Sequence, residues 1–282
     1  MLGLFDPIGG IWYLRDGEGG TTQLQFGLAG DVPLMGDWDG DGVDTPGVYR
    51  PLLGWLLLRN ASESVTEGHF MPPADLLVVA DTDGDGRDTV SVARGGRLMI
   101  LDGLGRGPDE LESVDPLPIR LPDGTEALIG GDFDGDGTDE VAAVHHGVVE
   151  VVGPGRGFVL GRIGRLLPVA GDWDGDGVQT VAGYEAWRAQ FRFYGSDGRA
   201  LSGALPYGST GMIPVAGSFG PLSGNDDPPP YYAGLPSMSR GATGPNVVLL
   251  QQELARLHLF REEIDGEFGE STAQAVMAFH KV

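Results

Sequence analysis

Short apolar segments recur at similar spacing over about the first 220 residues of the chain. The first segment of each recurrence ends in a small residue and lies at residues 32–36, 76–80, 127–131, 167–171 and 213–217. The second lies at residues 46–49, 90–93, 141–144 and 181–184, with a counterpart at 2–5. The third, rich in β-branched and aromatic residues, lies at 11–15, 55–59, 97–101, 148–152 and 190–194. Runs of this length and composition between turn residues predict β-strands.

These strands group into repeated units. Less regular segments at residues 23–26, 158–160 and 204–207 supply a fourth strand in some units. Units of about four strands at a spacing of about 40 to 50 residues are typical of propeller blades. The sequence therefore predicts an all-β propeller, with five blades favoured. The chain begins on a second strand and the repeats end on a first strand, so the ring can close circularly.

Four acidic loops connect the first and second strands of successive units, at residues 37–42, 81–86, 132–137 and 172–177. Three alternating carboxylates repel one another unless a hard cation lies among them, and oxygen-only ligation in a flexible loop favours Ca²⁺. The glycine at the sixth position permits the sharp turn. A solvated turn is the alternative, but a turn needs one aspartate and not three. We expect about four calcium sites, with these carboxylates as ligands: Asp37, Asp39, Asp41, Asp81, Asp83, Asp85, Asp132, Asp134, Asp136, Asp172, Asp174 and Asp176.

Charge and composition narrow the function classes. The chain has 282 residues, is 41% hydrophobic and carries a net charge of −23. Counted together with the acids at their eighth and ninth positions, the loops hold 16 of the 41 acidic residues, so the remaining surface is only mildly acidic. Clustered basic residues that could neutralise phosphates are missing, which argues against nucleic acid as a partner. The absence of cysteine excludes disulfides and thiolate sites from this sequence.

Location is predicted indirectly. Loops of this kind suit the millimolar calcium outside cells, so we expect an extracellular or cell-wall protein. The first residues lack the basic and apolar segments of a signal peptide, and no apolar run is long enough to predict a membrane span. Either export information lies upstream of this sequence, or the extracellular expectation fails.

The unit at residues 36–49 followed by residues 55–59 resembles the FG-GAP/VCBS-type repeats of bacterial surface proteins, which are relatives of the integrin propeller. The resemblance covers residues 1 to about 220 and implies calcium binding by the loop side chains on the outer part of each blade. The family usually has an acid at the ninth loop position, where this chain has Thr45, Thr89, Glu140 and Thr180. Acids stand instead at the eighth position, and Gln179 there makes the fourth loop the weakest predicted site. The predicted ligand sets therefore extend to these later positions: Val43, Asp44, Thr45, Arg87, Asp88, Thr138, Asp139, Glu140 and Val178.

The pattern changes after about residue 220. Residues 221–242 are rich in Pro, Gly, Asp and Ser, which predicts a linker. Asp226 and Asp227 as remnants of a fifth calcium loop are the weaker alternative. In residues 243–282 the apolar residues Val247, Leu250, Leu254 and Leu257 recur at helical spacing, which predicts a helix from about residue 245 to 258.

A turn at residues 264–272 precedes a second predicted helix, which Ser271 or Thr272 begins. Its inward residues are Ala275, Val276 and Phe279. This segment resembles a partial peptidoglycan-binding domain, and the residues that carry the resemblance include Gly244, Gln251, Asp265, Gly266, Phe268 and Gly269. The resemblance implies peptidoglycan or another wall glycan as partner. We interpret Asp265, Phe268 and Thr272 as scaffold residues rather than glycan contacts.

No catalytic constellation emerges from the remaining residues. The five histidines lack metal-ligand spacing, and Ser209 lacks the context of a nucleophile elbow. We therefore predict no catalytic residue in this chain.

Three functions stay open. The first is a secreted or cell-surface calcium-binding propeller that serves adhesion, display or wall anchoring. The second is the non-catalytic region of a wall-remodelling enzyme of the L,D-transpeptidase or amidase type. The third is a lectin-like or self-assembling surface protein, which would add surface glycans or homo-oligomeric assembly as partners.

Overall fold

The structure is a computed structural model. It describes residues 1–17, 19–51, 54–59, 66–70, 74–102, 112–113, 119–153, 157–219, 241, 243, 247, 251, 254–255 and 259–279.

Five four-stranded antiparallel sheets make up most of the described chain, and we number them as blades 1 to 5. Blade 1 contains β22 (Ile213–Ala216), β1 (Leu2–Asp6), β2 (Ile11–Arg15) and β3 (Thr21–Gln25). Blade 2 contains β4 (Val32–Gly36), β5 (Thr45–Arg50), β6 (Trp55–Arg59) and β7 (Thr66–Phe70). Blade 3 contains β8 (Leu76–Ala80), β9 (Thr89–Arg94), β10 (Arg97–Met99) and β13 (Ile119–Arg120).

The last two blades follow the same order. Blade 4 contains β14 (Thr125–Gly131), β15 (Glu140–His145), β16 (Val148–Val152) and β17 (Val159–Arg162). Blade 5 contains β18 (Leu167–Gly171), β19 (Thr180–Glu185), β20 (Gln190–Tyr194) and β21 (Ala200–Pro206). A separate two-stranded sheet pairs β11 (Leu101–Asp102) with β12 (Glu112–Ser113), and one helix, α1 (Glu270–Phe279), lies near the C-terminus.

The apolar side chains of the strands form one buried cluster between each pair of neighbouring blades. Phe5 and Trp12 of blade 1 pack with Val48 of blade 2, and equivalent clusters join blades 2 and 3, 3 and 4, and 4 and 5. In the fifth cluster Leu4 of blade 1 packs with Phe191 of blade 5. Five interfaces between five sheets close a ring, which confirms the predicted five-bladed propeller.

Blade 1 joins the two ends of the repeat. Strand β22 pairs with β1 in an antiparallel register in which Leu2 faces Ala216 and Phe5 faces Ile213. The first strand of blade 1 therefore comes from the end of the repeat region, and its other three strands come from the start of the chain. The predicted circular closure is confirmed.

The first strand of every blade faces the centre of the ring. Together these strands surround a cavity of about 830 Å³, whose wall includes Leu34, Val78, Leu128, Val169 and Val215. The wall is apolar along the strands. Acidic residues that follow the strands, described below, line part of the same cavity.

The bounds of two predicted elements differ from those in the structure. The predicted strand at residues 97–101 ends at Met99, and Leu101 begins the separate two-stranded sheet. Helix α1 begins at Glu270, one residue before the predicted start, and the amide of Ala273 donates to the carbonyl of Gly269 (3.1 Å).

Other predictions lie largely outside the described residues. These are the linker at 221–242, Asp226, Asp227, Gly244 and most of the helix at 245–258, of which Val247, Gln251, Leu254 and Ala255 are described and are helical.

Candidate functional site

The four acidic loops occupy equivalent positions in blades 2 to 5, where each connects the first strand of a blade to the second. The fourth and sixth residues of every loop are glycines with positive φ, for example 78° at Gly40 and 82° at Gly42. Side chains rarely adopt this backbone conformation, so the glycines make the repeated turn possible.

The first aspartate of each loop accepts backbone hydrogen bonds from its own loop. Asp37 accepts from the amides of Gly40 (2.7 Å), Asp41 (3.1 Å) and Gly42 (2.7 Å). Asp81 and Asp132 accept the same three bonds in their loops, and Asp172 accepts from Gly175 and Gly177. These bonds hold the pKa of Asp172 below its usual value. The first carboxylate of each loop therefore fixes the loop conformation.

In each loop the first, third and fifth carboxylates converge. One oxygen from each of the three lies within 4.8 Å of the others in all four loops. The predicted groups are therefore brought together: Asp37 with Asp39 and Asp41, Asp81 with Asp83 and Asp85, Asp132 with Asp134 and Asp136, and Asp172 with Asp174 and Asp176. Three hard oxygen donors at this separation fit a calcium ion, which accepts carboxylate oxygens in flexible geometry.

The seventh residue of each loop makes the same backbone hydrogen bond. The amide of Val43 donates to Asp41 Oδ1 (2.9 Å), and Arg87, Thr138 and Val178 donate to the fifth aspartates of their own loops. These bonds orient the fifth carboxylate. The side chains of the seventh residues differ widely, so the residue acts through its backbone.

The eighth-position acids contact the preceding blade. The amide of Asp88 donates to the carbonyl of Asp37 (2.8 Å), and the amide of Asp37 donates to Asp88 Oδ2 (2.8 Å). Asp139 makes the same pair of bonds with Asp81, and Asp44 makes it with Ser218. In blade 5, the backbone amide of Gln179 donates to the carbonyl of Asp132 (2.9 Å). The eighth residue thus links neighbouring blades, and Ser218 stands where other blades have the first aspartate.

These inter-blade carboxylates line the central cavity and are substantially buried. Burial raises the pKa of Asp88 to about 8 and that of Asp139 to about 6, with smaller contributions from neighbouring acids. Burial also raises the pKa of Asp44. Among the described residues the converging groups comprise the first, third and fifth aspartates, and ligand roles for Asp44, Asp88 and Asp139 stay predictions.

The ninth residue begins the second strand of each blade. Thr45 donates its hydroxyl to the carbonyl of Arg59, and Thr89 donates to the carbonyl of Leu101 (3.0 Å). Glu140 differs, because its carboxylate accepts from the amide of Phe133 (3.0 Å) at the second position of its own loop. Burial raises the pKa of Glu140, and the loop aspartates add to this. These contacts tie the loop to the strands.

The tryptophans at the second loop position pack between blades. Trp38 is 9% exposed and lies in the cluster between blades 2 and 3. Its indole donates to the carbonyl of Thr45 (3.0 Å), and Trp173 donates to that of Thr180 (3.1 Å). They anchor the loops to the core.

The C-terminal segment is held by a buried polar centre. Gln251 is 1% exposed, and its amide nitrogen donates to Asp265 (2.7 Å), to the carbonyl of Glu267 (3.0 Å) and to Thr272 (3.1 Å). Its amide oxygen accepts from the backbone of Gly266 (2.9 Å). One glutamine therefore fastens the turn and helix α1 to the preceding helical residues.

Scaffold roles for the singled-out turn residues are supported. Asp265 also accepts from the amide of Glu267 (2.9 Å), Phe268 is 8% exposed, and Thr272 is fully buried. A small apolar cluster contains Leu254, Phe260 and Ala275.

Residues 243–281 match the family of putative peptidoglycan-binding domains. The match covers the segment built around Gln251, and it supports cell-wall association through peptidoglycan. A search among curated proteins finds none that matches the chain.

Other candidate positions have structural contacts. His145, at the end of β15, bonds to Glu150 through Nε2 (3.0 Å), and His146 lies beside it. Within the described ranges no helix has the length and apolar character needed to cross a bilayer.

The central position of Gln251 is not apparent from the sequence pattern. The available signal was a polar residue in line with Val247 and Leu254 on the inward side of a predicted helix. Sequence reasoning also missed a row of arginines on blade 3, because the register of the sheet brings them together.

Proposed function

We propose that the chain is a non-catalytic wall-binding protein in which a calcium-stabilised propeller is carried by a peptidoglycan-binding module. The observation that carries this proposal is the family match of residues 243–281, together with the buried hydrogen-bond network of Gln251 within that segment. The propeller offers rigid surfaces for adhesion or display. Acidic loops of this kind suit the millimolar calcium found outside cells, which supports an extracellular location for the chain.

Binding to insoluble peptidoglycan tests the proposal. The intact chain is expected to sediment with purified peptidoglycan, and Gln251→Ala is expected to reduce the bound fraction at least fivefold, because four buried hydrogen bonds are lost from the module. Gln25→Ala is the matched control: Gln25 lies in the propeller and donates to the carbonyl of Gly9 (2.7 Å). Equal binding by both variants, or none by the intact chain, would reject the proposal.

We propose further that the four loops bind one Ca²⁺ each through the first, third and fifth aspartates and a backbone carbonyl of the seventh residue. The resemblance of residues 1 to about 220 to FG-GAP/VCBS-type repeats implies the same calcium binding. The support is the repeated convergence of three carboxylates on glycine-shaped turns. An ion that binds only the folded propeller raises its stability, so its role is structural.

Calorimetric titration and thermal unfolding test the calcium sites. We expect about four calcium ions per chain, and a chelator is expected to lower the melting temperature by more than about 5 °C. Magnesium is expected to substitute poorly, because it requires a more regular octahedral shell. A melting temperature that does not respond to the chelator would contradict the metal assignment.

A further inference from the structure

Blade 3 carries three arginines side by side at one end of its sheet. Arg94 ends β9 and faces Arg97, which begins β10, and Arg97 in turn faces Arg120 of β13. We call Arg94, Arg97 and Arg120 the arginine row. All three residues are exposed, and they lie at the end of β9 away from the acidic loop.

The register brings the three side chains to one side of the sheet. Residues directly opposite each other in antiparallel strands project in the same direction, with Cα atoms about 4.5 to 5.5 Å apart. Like charges in such positions destabilise a sheet. The row therefore places three positive charges close together at a cost to the stability of the blade.

The corresponding positions of the other blades show no such row. The registers place Asp6, Ile11 and Gln25 there in blade 1, Arg50, Trp55 and Phe70 in blade 2, His145, Val148 and Arg162 in blade 4, and Glu185, Gln190 and Pro206 in blade 5. The charge at the end of the second strand is also compensated in two other blades. Arg50 pairs with Asp31 (2.8 Å) and Glu185 with Arg192 (3.3 Å). The repeat itself thus does not require arginines here.

Few carboxylates lie near the positive charges of the arginine row. Among the residues that the structure describes, no carboxylate oxygen lies within 4 Å of a guanidinium nitrogen of Arg94 or Arg97. Arg120 approaches Asp123 at 3.6 Å, but the side chains are 80% and 94% exposed, and so open a pair contributes little. The row is therefore available to an external anion.

The backbone beneath the row is well fixed. Gly95 and Gly96 form the two-residue turn between β9 and β10 with φ of 57° and 72°, as a tight hairpin requires. The amide of Gly95 donates to Asp75 (2.7 Å), and the amide of Leu121 donates to the carbonyl of Gly96 (3.0 Å). Arg97 and Arg120 also border a cleft of about 580 Å³.

We propose that the arginine row binds carboxylates of the peptide stems of peptidoglycan. The planar guanidinium matches a carboxylate through two parallel hydrogen bonds, and a row of three suits a chain that carries several carboxylates rather than one small anion. The inference rests on the proposed function for the choice of polymer. It adds a second contact on the propeller to the one made by residues 243–281, and linked contacts raise the overall affinity.

A paired set of charge variants tests the row. Arg94→Gln/Arg97→Gln removes two charges from it, and Arg162→Gln/Arg165→Gln removes two exposed charges from the same end of blade 4. The probe is a tetraglutamate peptide, titrated against the intact chain in 1 mM calcium at low salt. The row variant is expected to lose at least tenfold in affinity and the blade 4 variant less than twofold. Equal losses would show general charge attraction and would overturn the proposal.

A second probe identifies the polymer. Soluble disaccharide–peptide fragments are expected to bind through the row, and the same fragments with their carboxylates converted to amides are expected to bind at least fivefold more weakly. Tighter row-dependent binding to polyglycerol phosphate than to the fragments would assign the row to phosphates and overturn the proposal. Row-dependent binding of tetraglutamate and of the fragments by a chain that does not sediment with peptidoglycan would support the row while rejecting the proposed wall function.

Stability distinguishes a binding row from a structural one. Removing like charges is expected to leave the melting temperature of Arg94→Gln/Arg97→Gln equal to or above that of the unmodified chain. A decrease of more than 5 °C would mean that these arginines hold the blade together, and the binding interpretation would fail.

Discussion

Each acidic loop contains carboxylates with different tasks. Asp37 satisfies three backbone amides, and Asp41 orients toward the amide of Val43. Asp88, in the next loop, joins Asp37 from the neighbouring blade. The number of acids in a loop therefore overstates the number available to an ion, and substitutions at different positions should have different consequences.

The first prediction separates loop structure from calcium binding. In a chelator, Asp37→Ala is expected to lower the free energy of unfolding by about 1–3 kcal/mol, because three loop amides lose their charged acceptor. Asp39→Ala is expected to cost much less in the chelator but to abolish one calcium site. Denaturant unfolding with and without calcium measures both effects. Equal destabilisation of the two variants in the chelator would contradict the assigned roles.

The second prediction concerns pH. The pKa of Asp88 is about 8 in the folded chain, far above its ordinary value of 3.8, so the folded state binds more protons between these values. Stability without calcium is expected to fall as pH rises from about 4 to 8, and Asp139 adds to the fall up to about 6.

Asp88→Asn removes the charge and keeps an oxygen that can accept the amide of Asp37. The variant is expected to be more stable than the unmodified chain at pH 8, by more than about 1 kcal/mol, and to show a flatter pH dependence. Chemical unfolding at several pH values in a chelator measures this. A steeper fall in the variant would refute the burial argument.

At the scale of elements, the pairing of β22 with β1 closes the ring. A third prediction follows for two truncations of the chain. A chain ending at Met212 lacks β22 and leaves one edge of β1 unpaired, so it is expected to lose cooperative unfolding or to aggregate. A chain ending at Phe219 keeps β22 and the buried Phe219 and is expected to fold. Circular dichroism and size-exclusion chromatography compare them; similar folding of both would contradict closure by β22.

The strand order of the blades could be predicted from the sequence because local patterns control it. Segments such as residues 32–36 and 148–152 alternate or stay apolar over strand length, and an acidic turn follows the first strand of blades 2 to 5. The break after Met99 was not predictable, since apolar residues continue through Leu101 and only tertiary pairing ends the strand.

Of the contacts around the acidic loops, only those within one loop could be predicted from the sequence. The spacing of Asp37, Asp39 and Asp41 suffices to predict that they converge. The contact of Asp88 with Asp37 spans 51 residues and depends on how two blades meet, so proximity along the chain could not predict it. The arginine row was missed for a similar reason, because Arg120 reaches Arg97 only through the sheet register.

At the scale of the whole molecule, the acidic loops and the arginine row lie at different ends of the propeller. The acidic loops lie where first strands meet second strands, and the arginine row lies at the other end of the same sheet. Calcium would neutralise the acidic end, which lowers the repulsion of any anionic polymer. Binding to peptidoglycan fragments is therefore expected to strengthen at least twofold when calcium replaces a chelator. Titration under both conditions measures this; a calcium-independent affinity would separate the two functions.

The most direct test of the whole account is hydrogen exchange of the intact chain with and without soluble peptidoglycan fragments, in the presence of calcium. We expect slower exchange within residues 243–281 on binding, above all near Gly266 and helix α1, and no change in the four acidic loops. Protection that is confined to the acidic loops, with residues 243–281 unchanged, would contradict the account.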